Sequence, residues 1–168
     1  IYENDFETDM GQLTPSGVNS ELWQRTVLGA AEFSSHSIPT ALYFGNIYQN
    51  SSGNIDSIAY PDNSDTWLKT PVWDLREIES SDLTILTFHY YLQAEEDYDF
   101  ASVLFSIDSG KTFQTAVTSQ NGGLSNSTHW QAALIEFSSL VGNYTQFAFR
   151  FSSDESYTYE GWYIDDIK

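Results

Sequence analysis

Residues 160–168 read EGWYIDDIK, and the fold can be predicted by working outward from this stretch. Its aromatic and β-branched residues, entered through a glycine, predict a β-strand. The adjacent carboxylates of Asp165 and Asp166 do not fit, because aspartate is depleted in strands and one of two neighbouring residues must point inward. An inward carboxylate needs a cationic partner, since an unpaired buried charge is very costly. The stretch therefore predicts a terminal strand and a partner for one of its aspartates.

Short alternating or apolar runs, separated by Gly, Asn, Ser, Asp and Pro, continue this pattern along the chain, and helical periodicity is nearly absent. The run LTILTFHYY at 83–91 is strongly β-prone and predicts a central strand. In 145–151 every second residue from Phe147 to Phe151 is a phenylalanine, which predicts one buried face. The pattern is typical of an all-β sandwich. We therefore expect an all-β, antiparallel β-sandwich with essentially no helix.

The strand boundaries follow from these runs and from the turn residues between them. Residues 11–20 and 45–54 are expected to be loops, and the loop 93–99 is acidic. The length of 168 residues fits one domain, so residues 1–168 are expected to form a single module. The predicted strands cover residues 1–8, 22–28, 39–44, 55–60, 67–72, 83–91, 101–107, 112–117, 130–137, 145–151 and 161–168.

The composition limits the possible partners. The chain carries 24 acidic but only 6 basic side chains, which gives a net charge of −18. This charge argues against binding to nucleic acid or to an anionic membrane surface, both of which need a basic footprint. It favours cation binding, or a solvating surface suited to a calcium-rich exterior. No apolar run approaches the roughly 18 residues of a membrane span, so no membrane insertion is expected.

Cysteine is absent, which excludes disulfides and thiolate metal sites. A secreted eukaryotic domain would often contain disulfides, so we expect a bacterial source. The chain begins without Met and ends directly after the last predicted strand. We therefore expect a module excised from a larger protein that is secreted or exposed at the cell surface.

The sequence offers little for catalysis. His36, His89 and His129 are far apart and form no HExxH-type pair, and there is no GxSxG motif, phosphate-binding loop or cysteine nucleophile. A glycosidase needs only two carboxylates, for which Glu95 and Glu96 are the candidates. We favour the interpretation that these glutamates belong to a solvated loop, and keep a hydrolase as a third hypothesis.

Residues 106–113 read SIDSGKTF and match the pattern S-x-D-x-G-x-T-[W/F], which resembles the Asp-box hairpin of sialidases and reelin repeats. Asp108 can accept hydrogen bonds from turn amides, Gly110 can adopt a positive φ, and Phe113 can pack beneath the turn. In those families the box is a folding element. We therefore expect a structural hairpin here and no catalytic role.

Acidic residues near the two ends of the chain form the candidate metal site. The first and last strands of a jelly roll commonly pair, which would bring Glu7 next to an aspartate of the last strand. Two or three carboxylates with loop carbonyls suit Ca²⁺, which takes about six to eight oxygen ligands. The alternative is that these acids are exposed or pair with Arg150 or Lys168. Because cations are scarce in this chain, we favour a structural Ca²⁺ ion that joins the terminal strands.

The alternation of the last strand separates its two aspartates. Asp165 shares a face with Tyr163 and Ile167, which we expect to be the inward side, so Asp165 is the main ligand candidate. Asp166 lies on the other face with Trp162. It is the weaker candidate unless a bulge changes the register.

Four tyrosines, Tyr48, Tyr98, Tyr157 and Tyr159, fall in predicted loops. Aromatic rings among Asn, Asp and Gln side chains can stack on sugars, and they can also anchor a protein contact. Tyrosines at the end of a sandwich are equally common without any ligand. We retain these four residues as ligand-binding candidates.

An ordered set of motifs resembles one group of jelly-roll modules. The motifs are, in chain order, Phe6-Glu7, Trp23, LKTPVWDL at 68–75, the run 83–91, Asp99, the box 106–113, Trp130, FSSLVG at 137–142, FRF at 149–151, Ser153-Asp154 and GWYIDDI at 161–167. Together they cover nearly the whole chain and resemble the MAM-like β-sandwich modules. Those modules occur beside immune-inhibitor-A-type metallopeptidases, in the cleaved-adhesin domains of gingipains and, more distantly, in reelin repeats.

The resemblance implies a non-catalytic jelly roll on a secreted or surface protein, often with bound Ca²⁺. The positions that match the metal ligands are Glu7 and Asp165, followed by Asp166. Asp99 matches a recurrent acid of these modules and is kept as a further metal-ligand candidate. The chain departs from the pattern in lacking cysteine, in the aromatic residue of its Asp box, and in the segment 34–54. The ligand surface therefore cannot be transferred.

The resulting hypotheses belong to different classes. The first is a Ca²⁺-stabilised accessory or adhesion module of a secreted or cell-surface bacterial protein, expected to be a protease. Such a module would bind a protein or glycan surface, or its own catalytic domain. The second is a carbohydrate-binding module of a secreted bacterial enzyme, which has a similar fold and also carries structural calcium. The third is the hydrolase.

Overall fold

The computed structural model describes residues 2–26, 36–37, 39–53, 55–78, 84–137 and 140–168. These residues form a β-sandwich of two antiparallel sheets with one additional hairpin. Helical structure in the described ranges is limited to two 3₁₀ turns, Ser20–Leu22 and Ser119–Asn121. The expectation of an all-β antiparallel sandwich is confirmed. No helix in the described ranges is long and apolar enough to cross a membrane.

The strands of the described residues are, in chain order, β1 (Thr14–Val18), β2 (Trp23–Thr26), β3 (Ala41–Phe44), β4 (Asn46–Gln49), β5 (Ile55–Ala59), β6 (Asp65–Lys69), β7 (Trp73–Asp74), β8 (Thr84–Gln93), β9 (Phe100–Ser106), β10 (Gln114–Thr118), β11 (Gln131–Phe137), β12 (Tyr144–Ser152) and β13 (Gly161–Asp165). One sheet has the order β1-β6-β12-β9-β10, with β7 also paired to β12. The other has the order β11-β8-β13-β3-β2, and β4 pairs with β5.

The core lies between the two sheets and is rich in aromatic side chains. Phe147, Phe149 and Phe151 of β12 are buried, as the alternation of that run predicts. They face the second sheet, where the Phe149 ring contacts Phe88 at 5.3 Å and Trp162 at 5.9 Å between ring centroids. Burial of each such side chain stabilises the fold by roughly 1.5–3 kcal/mol. The alternating phenylalanines thus hold the two sheets together.

Strand β13 occupies the middle of its sheet, between β8 and β3, and both of its faces are covered. Trp162 and Ile164 belong to the main core, whereas Tyr163 belongs to a second cluster with Tyr43 and Tyr91 on the other face. The prediction that the Tyr163 face is the inward side is therefore wrong. The second face is nevertheless buried, because Ile47, Ile58 and Trp130 pack over it.

The chain changes direction at Asp166, where β13 has ended and φ is +51°. This break changes the register, so that Ile167 enters the main core together with Trp162. Ile167 also pairs with Asn4, and each backbone N–H of the pair donates to the other residue's carbonyl at 2.9 Å. The two ends of the described chain are thus joined at this point.

A first strand over residues 1–8 was expected, and in the described part of that range this prediction is wrong except for the bridge at Asn4. The reason lies in the short polar side chains. Asn4, Asp5 and Asp9 each accept a hydrogen bond from the backbone N–H two residues further on, which favours turns over strands. Phe6 has a φ of +58°, which also interrupts a strand. Residue 1 lies outside the described residues.

Two predicted loops, 11–20 and 45–54, contain the strands β1 and β4. β1 is an exposed edge strand with the polar sequence TPSGV, so its sequence lacks the apolar alternation by which strands are predicted. Among the described strands β4 pairs with β5 alone, and it is half exposed. Other boundaries differ by a few residues. Positions 27–28, 83 and 138–139 of the predicted elements lie outside the described residues.

The Asp-box hairpin between β9 and β10 is confirmed. The Asp108 carboxylate accepts hydrogen bonds from the backbone N–H groups of Lys111 and Thr112, and from the Ser106 hydroxyl at 2.7 Å. Gly110 has a φ of +80°, where an added Cβ would lie 2.1 Å from Oε1 of Gln146. The hydrogen bonds of Asp108 are local, as expected for a folding element.

Candidate functional site

Glu7 and Asp165 lie at the same place in the fold, on either side of Ser37. The Ser37 hydroxyl oxygen is 3.2 and 3.3 Å from the two carboxylate oxygens of Asp165, 3.5 Å from Oε1 of Glu7 and 3.5 Å from the carbonyl oxygen of Asp5. A hydroxyl has one hydrogen and can donate to only one of these four oxygens. The centre, which we call the oxygen pocket (Asp5 carbonyl, Glu7, Ser37, Asp165), therefore holds more acceptor oxygens than the Ser37 hydroxyl can satisfy.

Arg25 and Thr40 hold the Glu7 side of the oxygen pocket in place. The Arg25 guanidinium donates to the carbonyl oxygens of Phe6 and Glu7 and to the Thr40 hydroxyl. The Thr40 backbone N–H donates to Oε1 of Glu7 at 3.2 Å, and its hydroxyl donates to the Phe6 carbonyl at 2.6 Å. The cation Arg25 is thus bound to backbone carbonyls and makes no salt bridge with the Glu7 carboxylate.

The carboxylates of the oxygen pocket lack charged partners of opposite sign. Among the described residues, neither Glu7 nor Asp165 forms a salt bridge with Lys or Arg, and Arg150 pairs instead with Asp65 at 2.7 Å. Oε2 of Glu7 is buried without a hydrogen-bond partner. Burial raises the pKa of Asp165 to about 6, although the backbone N–H groups of Ser37 and Asp166 lower it in part. Carboxylate, carbonyl and hydroxyl oxygens of this kind are the donors that could hold a hard cation such as Ca²⁺.

Asp166 is adjacent to the oxygen pocket, but its side chain contacts two histidines. Its Oδ2 lies 2.6 Å from Nδ1 of His36 and 3.7 Å from Nδ1 of His89. The two imidazole rings are stacked, with 3.4 Å between their centroids and 8° between their planes. Burial lowers the pKa of His89, and the charge of His36 lowers it further.

Asp99 lies in a second acidic group together with Glu95 and Asp154, whose carboxylate oxygens are all within 4.8 Å of one another. The structure does not bring Asp99 into contact with Glu7 or Asp165. Buried Asp99 accepts hydrogen bonds from the Tyr60 hydroxyl at 2.5 Å and from the Asp154 backbone N–H at 2.8 Å. Its pKa is raised by burial. Asp99 thereby joins the loop 94–99 to the loop that follows β12.

Three of the four candidate tyrosines lie on these two joined loops. Tyr98, Tyr157 and Tyr159 are 60%, 74% and 47% exposed, and we call them the tyrosine surface. The backbone carbonyl of Tyr159 accepts a hydrogen bond from the backbone N–H of Tyr60 at 3.2 Å, and the carbonyl oxygen of Tyr157 lies 3.4 Å from the Tyr60 hydroxyl oxygen. Tyr48 is also exposed, but it belongs to strand β4, and the prediction that it lies in a loop is wrong.

A cavity of about 450 Å³ is lined in part by Asp97 and Asp99, the two residues that flank Tyr98 in sequence. It is lined by loop residues that include Glu95, Glu96, Gln120 and Asn126. Burial raises the pKa of Glu95, and the charges of Asp154 and Asp99 raise it further. The cavity thus presents amide and carboxylate groups.

Several residues of these groups were missed by the sequence reasoning. Ser37 and Thr40 complete the oxygen pocket, Arg25 supports it, and His36 and His89 surround Asp166. Ser37 is 128 residues from Asp165 in sequence, and His36 is 130 residues from Asp166. No local pattern indicates contacts at such separations. The one available signal was the isolated His-Ser pair in a segment with no other assigned role.

No protein-family model matches the sequence. Bacillopeptidase F of Bacillus subtilis (strain 168) is 29% identical over 168 residues, which is 99% of this chain but 10% of that protein. The K1 cleaved adhesin domain of Lys-gingipain from Porphyromonas gingivalis W83 has a similar structure, with a TM-score of 0.58, 14% identity, and coverage of 99% of this chain and 95% of that domain.

A second similar structure is the C-terminal family 22 carbohydrate-binding module of Clostridium thermocellum Xyn10B. Its TM-score is 0.53 at 11% identity, with coverage of 99% of this chain and 90% of the module. The expected likeness to a gingipain cleaved-adhesin domain is confirmed at the level of the fold. The chain spans about a tenth of the length of the curated relative that it matches.

Proposed function

We propose that this chain is a non-catalytic accessory or adhesion module of a secreted or cell-surface bacterial protein, namely a protease. The observation that carries the proposal is the match of the whole chain to a segment of Bacillopeptidase F, whose name identifies it as a peptidase. The fold of a gingipain cleaved adhesin domain supports the same role. We also propose that the chain belongs with the MAM-like modules that its motifs resemble.

The described residues support a binding role better than a catalytic one. No hydrogen bond among them joins a serine hydroxyl to a histidine ring nitrogen, as a Ser-His pair would require. Glu96 is exposed and Glu95 belongs to the acidic group of Asp99. Assays with peptide and glycoside substrates test this part of the proposal, and any turnover that Glu95→Gln removes would contradict it.

We further propose that the oxygen pocket binds a structural Ca²⁺ ion. Oxygens bound to one Ca²⁺ at about 2.4 Å lie on the order of 3 to 3.5 Å apart, which is the spacing found around the Ser37 hydroxyl. The ion would receive oxygens from Glu7 and Asp165 and would neutralise two carboxylates that have no Lys or Arg partner in the described part of the chain. Because Glu7 precedes β1 and Asp165 ends β13, the ion would fasten the two ends of the chain together.

The Ca²⁺ proposal is tested by calorimetric titration and by thermal unfolding with Ca²⁺ or with a chelator. We expect one equivalent bound at the oxygen pocket and a higher melting temperature with Ca²⁺. An unchanged melting temperature together with an absence of binding heat would contradict the proposal. Neither result affects the assignment of the binding surface, which depends on other residues.

We propose the tyrosine surface as the place where the module meets a protein or glycan. Three exposed rings on two loops joined through Asp99 can contact a partner with little further loss of conformational freedom. A carbohydrate-binding module is the second candidate function. The cavity of about 450 Å³ favours it, because its carboxylate and amide groups can form hydrogen bonds with a sugar and two of its lining residues, Asp97 and Asp99, flank Tyr98 in sequence.

A glycan array and a panel of immobilised extracellular proteins separate the two functions. The double variant Tyr98→Ala/Tyr157→Ala removes two rings of the surface. Tyr144→Ala is the matched control, since Tyr144 is an exposed tyrosine at the other end of β12, where it contacts Arg76. If the protein binds a glycan, and the double variant loses this binding while Tyr144→Ala keeps it, the carbohydrate-binding module is favoured. If the protein instead binds an immobilised protein, and the double variant alone loses that binding, the adhesion module is favoured. Binding that both variants retain would contradict the assigned surface.

A further inference from the structure

The cluster of His36, His89 and Asp166 lies outside the oxygen pocket and has no part in the proposed function. His89 belongs to β8 and is the cross-strand partner of Asp165, while Asp166 follows the end of β13. The nitrogen and oxygen donors of the three side chains lie within 4.8 Å of one another. Three ligating side chains from distant parts of the sequence therefore converge at one point.

The donors of this cluster differ in kind from those of the oxygen pocket. Two imidazole nitrogens and one carboxylate oxygen are the ligands typical of Zn²⁺ and neighbouring late transition metals, whereas Ca²⁺ prefers oxygen alone. The two sets are adjacent, because Ser37 follows His36 and Asp166 follows Asp165. The carboxylate of Asp165 faces the oxygens and that of Asp166 faces the nitrogens.

The distances in the cluster are close to those of a tetrahedral metal site. Ligands bound to Zn²⁺ at 2.0–2.2 Å lie about 3.3 Å apart. Oδ2 of Asp166 is 2.6 Å from Nδ1 of His36 and 3.7 Å from Nδ1 of His89, so each distance has to change by well under 1 Å. The rings are parallel and would have to rotate out of their stack for both nitrogens to point at one ion.

The hydrogen-bonding groups of the cluster are not all paired. Nδ1 of His89 is buried and has no hydrogen-bond partner among the described residues. Both rings approach the same oxygen of Asp166, and two protonated rings in contact at 3.4 Å would repel each other. A bound cation would remove both problems, since it would ligate the buried nitrogen and the shared oxygen at once.

The cluster is also open to ions from solvent. The side chains of His36, His89 and Asp166 are 39%, 31% and 19% exposed. Asp166 also lines a groove of about 440 Å³ that contains Glu3, Asp5 and Asp9. The net charge of −18 attracts cations to such a groove.

We propose that His36, His89 and Asp166 form a second, nitrogen-containing metal site that binds Zn²⁺ beside the oxygen pocket. The chain supplies three ligands, and the fourth position is left for water or for a carboxylate or imidazole of a binding partner. Asp165 would thereby ligate Ca²⁺ in the oxygen pocket, and Asp166 would ligate Zn²⁺ in the adjacent site.

The test is calorimetric titration of the Ca²⁺-saturated protein with Zn²⁺, together with visible absorption after addition of Co²⁺. We expect one equivalent of Zn²⁺ and a Co²⁺ spectrum typical of a four-coordinate site with nitrogen ligands. His36→Ala and His89→Ala should each weaken Zn²⁺ binding by at least the 10- to 100-fold that is typical for loss of an outer-shell partner. His129→Ala is the matched control, since the ring of His129 contacts the Thr128 hydroxyl and lies outside the cluster.

Three results would overturn this proposal. The first is an absence of Zn²⁺ binding to the folded protein. The second is Zn²⁺ binding that His36→Ala and His89→Ala leave unchanged, or that His129→Ala weakens to the same extent. The third is displacement of Zn²⁺ by excess Ca²⁺, which would place the Zn²⁺ in the oxygen pocket. If Ca²⁺ does not bind, the titration with Zn²⁺ still tests the Zn²⁺ site. The Ca²⁺ proposal and the Zn²⁺ proposal can therefore fail independently.

Discussion

Asp165 and Asp166 are neighbours in sequence, yet their carboxylates face two different sets of ligating atoms. The backbone N–H of Asp166 donates to Oδ1 of Asp165 at 2.9 Å, and the φ of +51° at Asp166 turns its side chain away from the strand. Asp165 consequently meets the oxygens around Ser37, whereas Asp166 meets the two histidines. Two adjacent aspartates are unusual in a strand, and here they mark the place where β13 ends.

Replacing Glu7 with Gln should remove the stabilisation by Ca²⁺ without unfolding the protein. At a Ca²⁺ concentration of 100 times Kd, binding to the folded state adds about 2.7 kcal/mol to the free energy of unfolding. For a domain of this size each kcal/mol corresponds to roughly 2–4 °C in Tm. Thermal unfolding of both proteins with Ca²⁺ and with a chelator measures the difference. We expect an increment for the wild type and little or none for Glu7→Gln.

Glu136→Gln is the matched control for this experiment. Glu136 is an exposed residue of β11, and its replacement changes the net charge by the same amount. The control should retain the full Ca²⁺ increment. An equal loss in both variants would attribute the effect to net charge and would count against the oxygen pocket.

Replacing Asp108 with Asn should destabilise the protein near neutral pH but much less in acid. Hydrogen bonds, chiefly from the Thr112 backbone N–H and then from the Ser106 hydroxyl, hold the pKa of Asp108 well below its usual range. A carboxyl with a lowered pKa in the folded state stabilises above its unfolded pKa of about 3.9, and this contribution is lost as the pH falls towards the folded pKa. The difference in Tm between wild type and variant should therefore be largest at pH 5–7 and decrease towards pH 2.

Asp62→Asn serves as the control for Asp108, because Asp62 is exposed and its carboxylate accepts no hydrogen bond from the described residues. Its Tm difference from the wild type should be small and nearly independent of pH. A constant difference for Asp108→Asn across the same range would show that the carboxylate charge is unimportant in the hairpin.

The parts of the fold that the sequence predicted are those in which local pattern and burial agree. The phenylalanines of β12 alternate because one face packs on the core, and 106–113 matches a self-contained turn. Strands β1 and β4 escaped prediction because they are polar and half exposed, so no apolar face marks them. Edge strands are stabilised by pairing with a neighbour, which the local sequence does not encode.

The candidate sites were predictable only in part for a related reason. Glu7 and Asp165 were paired by the expectation that the chain ends meet, and the structure brings them together around Ser37. Ser37 and His36 could not be anticipated, because their contacts span 128 and 130 residues. The faces of β13 were misassigned, since a central strand that is covered on both sides shows no alternation of polar and apolar residues.

Replacing Tyr60 with Phe should loosen the two loops that carry the tyrosine surface. The Tyr60 hydroxyl donates to buried Asp99 and accepts from the Glu95 backbone N–H at 3.1 Å, so its removal leaves both groups without this partner. Each buried group left unsatisfied costs about 1–3 kcal/mol. We expect a lower Tm and weaker binding of any partner of this surface. Tyr144→Phe removes the hydroxyl of an exposed tyrosine and should leave both quantities unchanged.

Replacing Gly161 with Ala should lower the free energy of unfolding by more than the cost of a positive φ alone, because the added Cβ would also clash at the start of β13. Gly161 has a φ of +114°, and an added Cβ would lie 2.7 Å from the carbonyl oxygen of Phe44 on the neighbouring strand β3. Gly53→Ala is the reference for a positive φ without a clash, because Gly53 has a φ of +81° and no atom of the described residues lies within 4 Å of the added Cβ. We expect Gly161→Ala to lower the free energy of unfolding by about 1–3 kcal/mol more than Gly53→Ala does, the usual cost of overpacking. Urea unfolding of both variants measures the difference, and equal costs would show that β3 moves away from β13 without penalty.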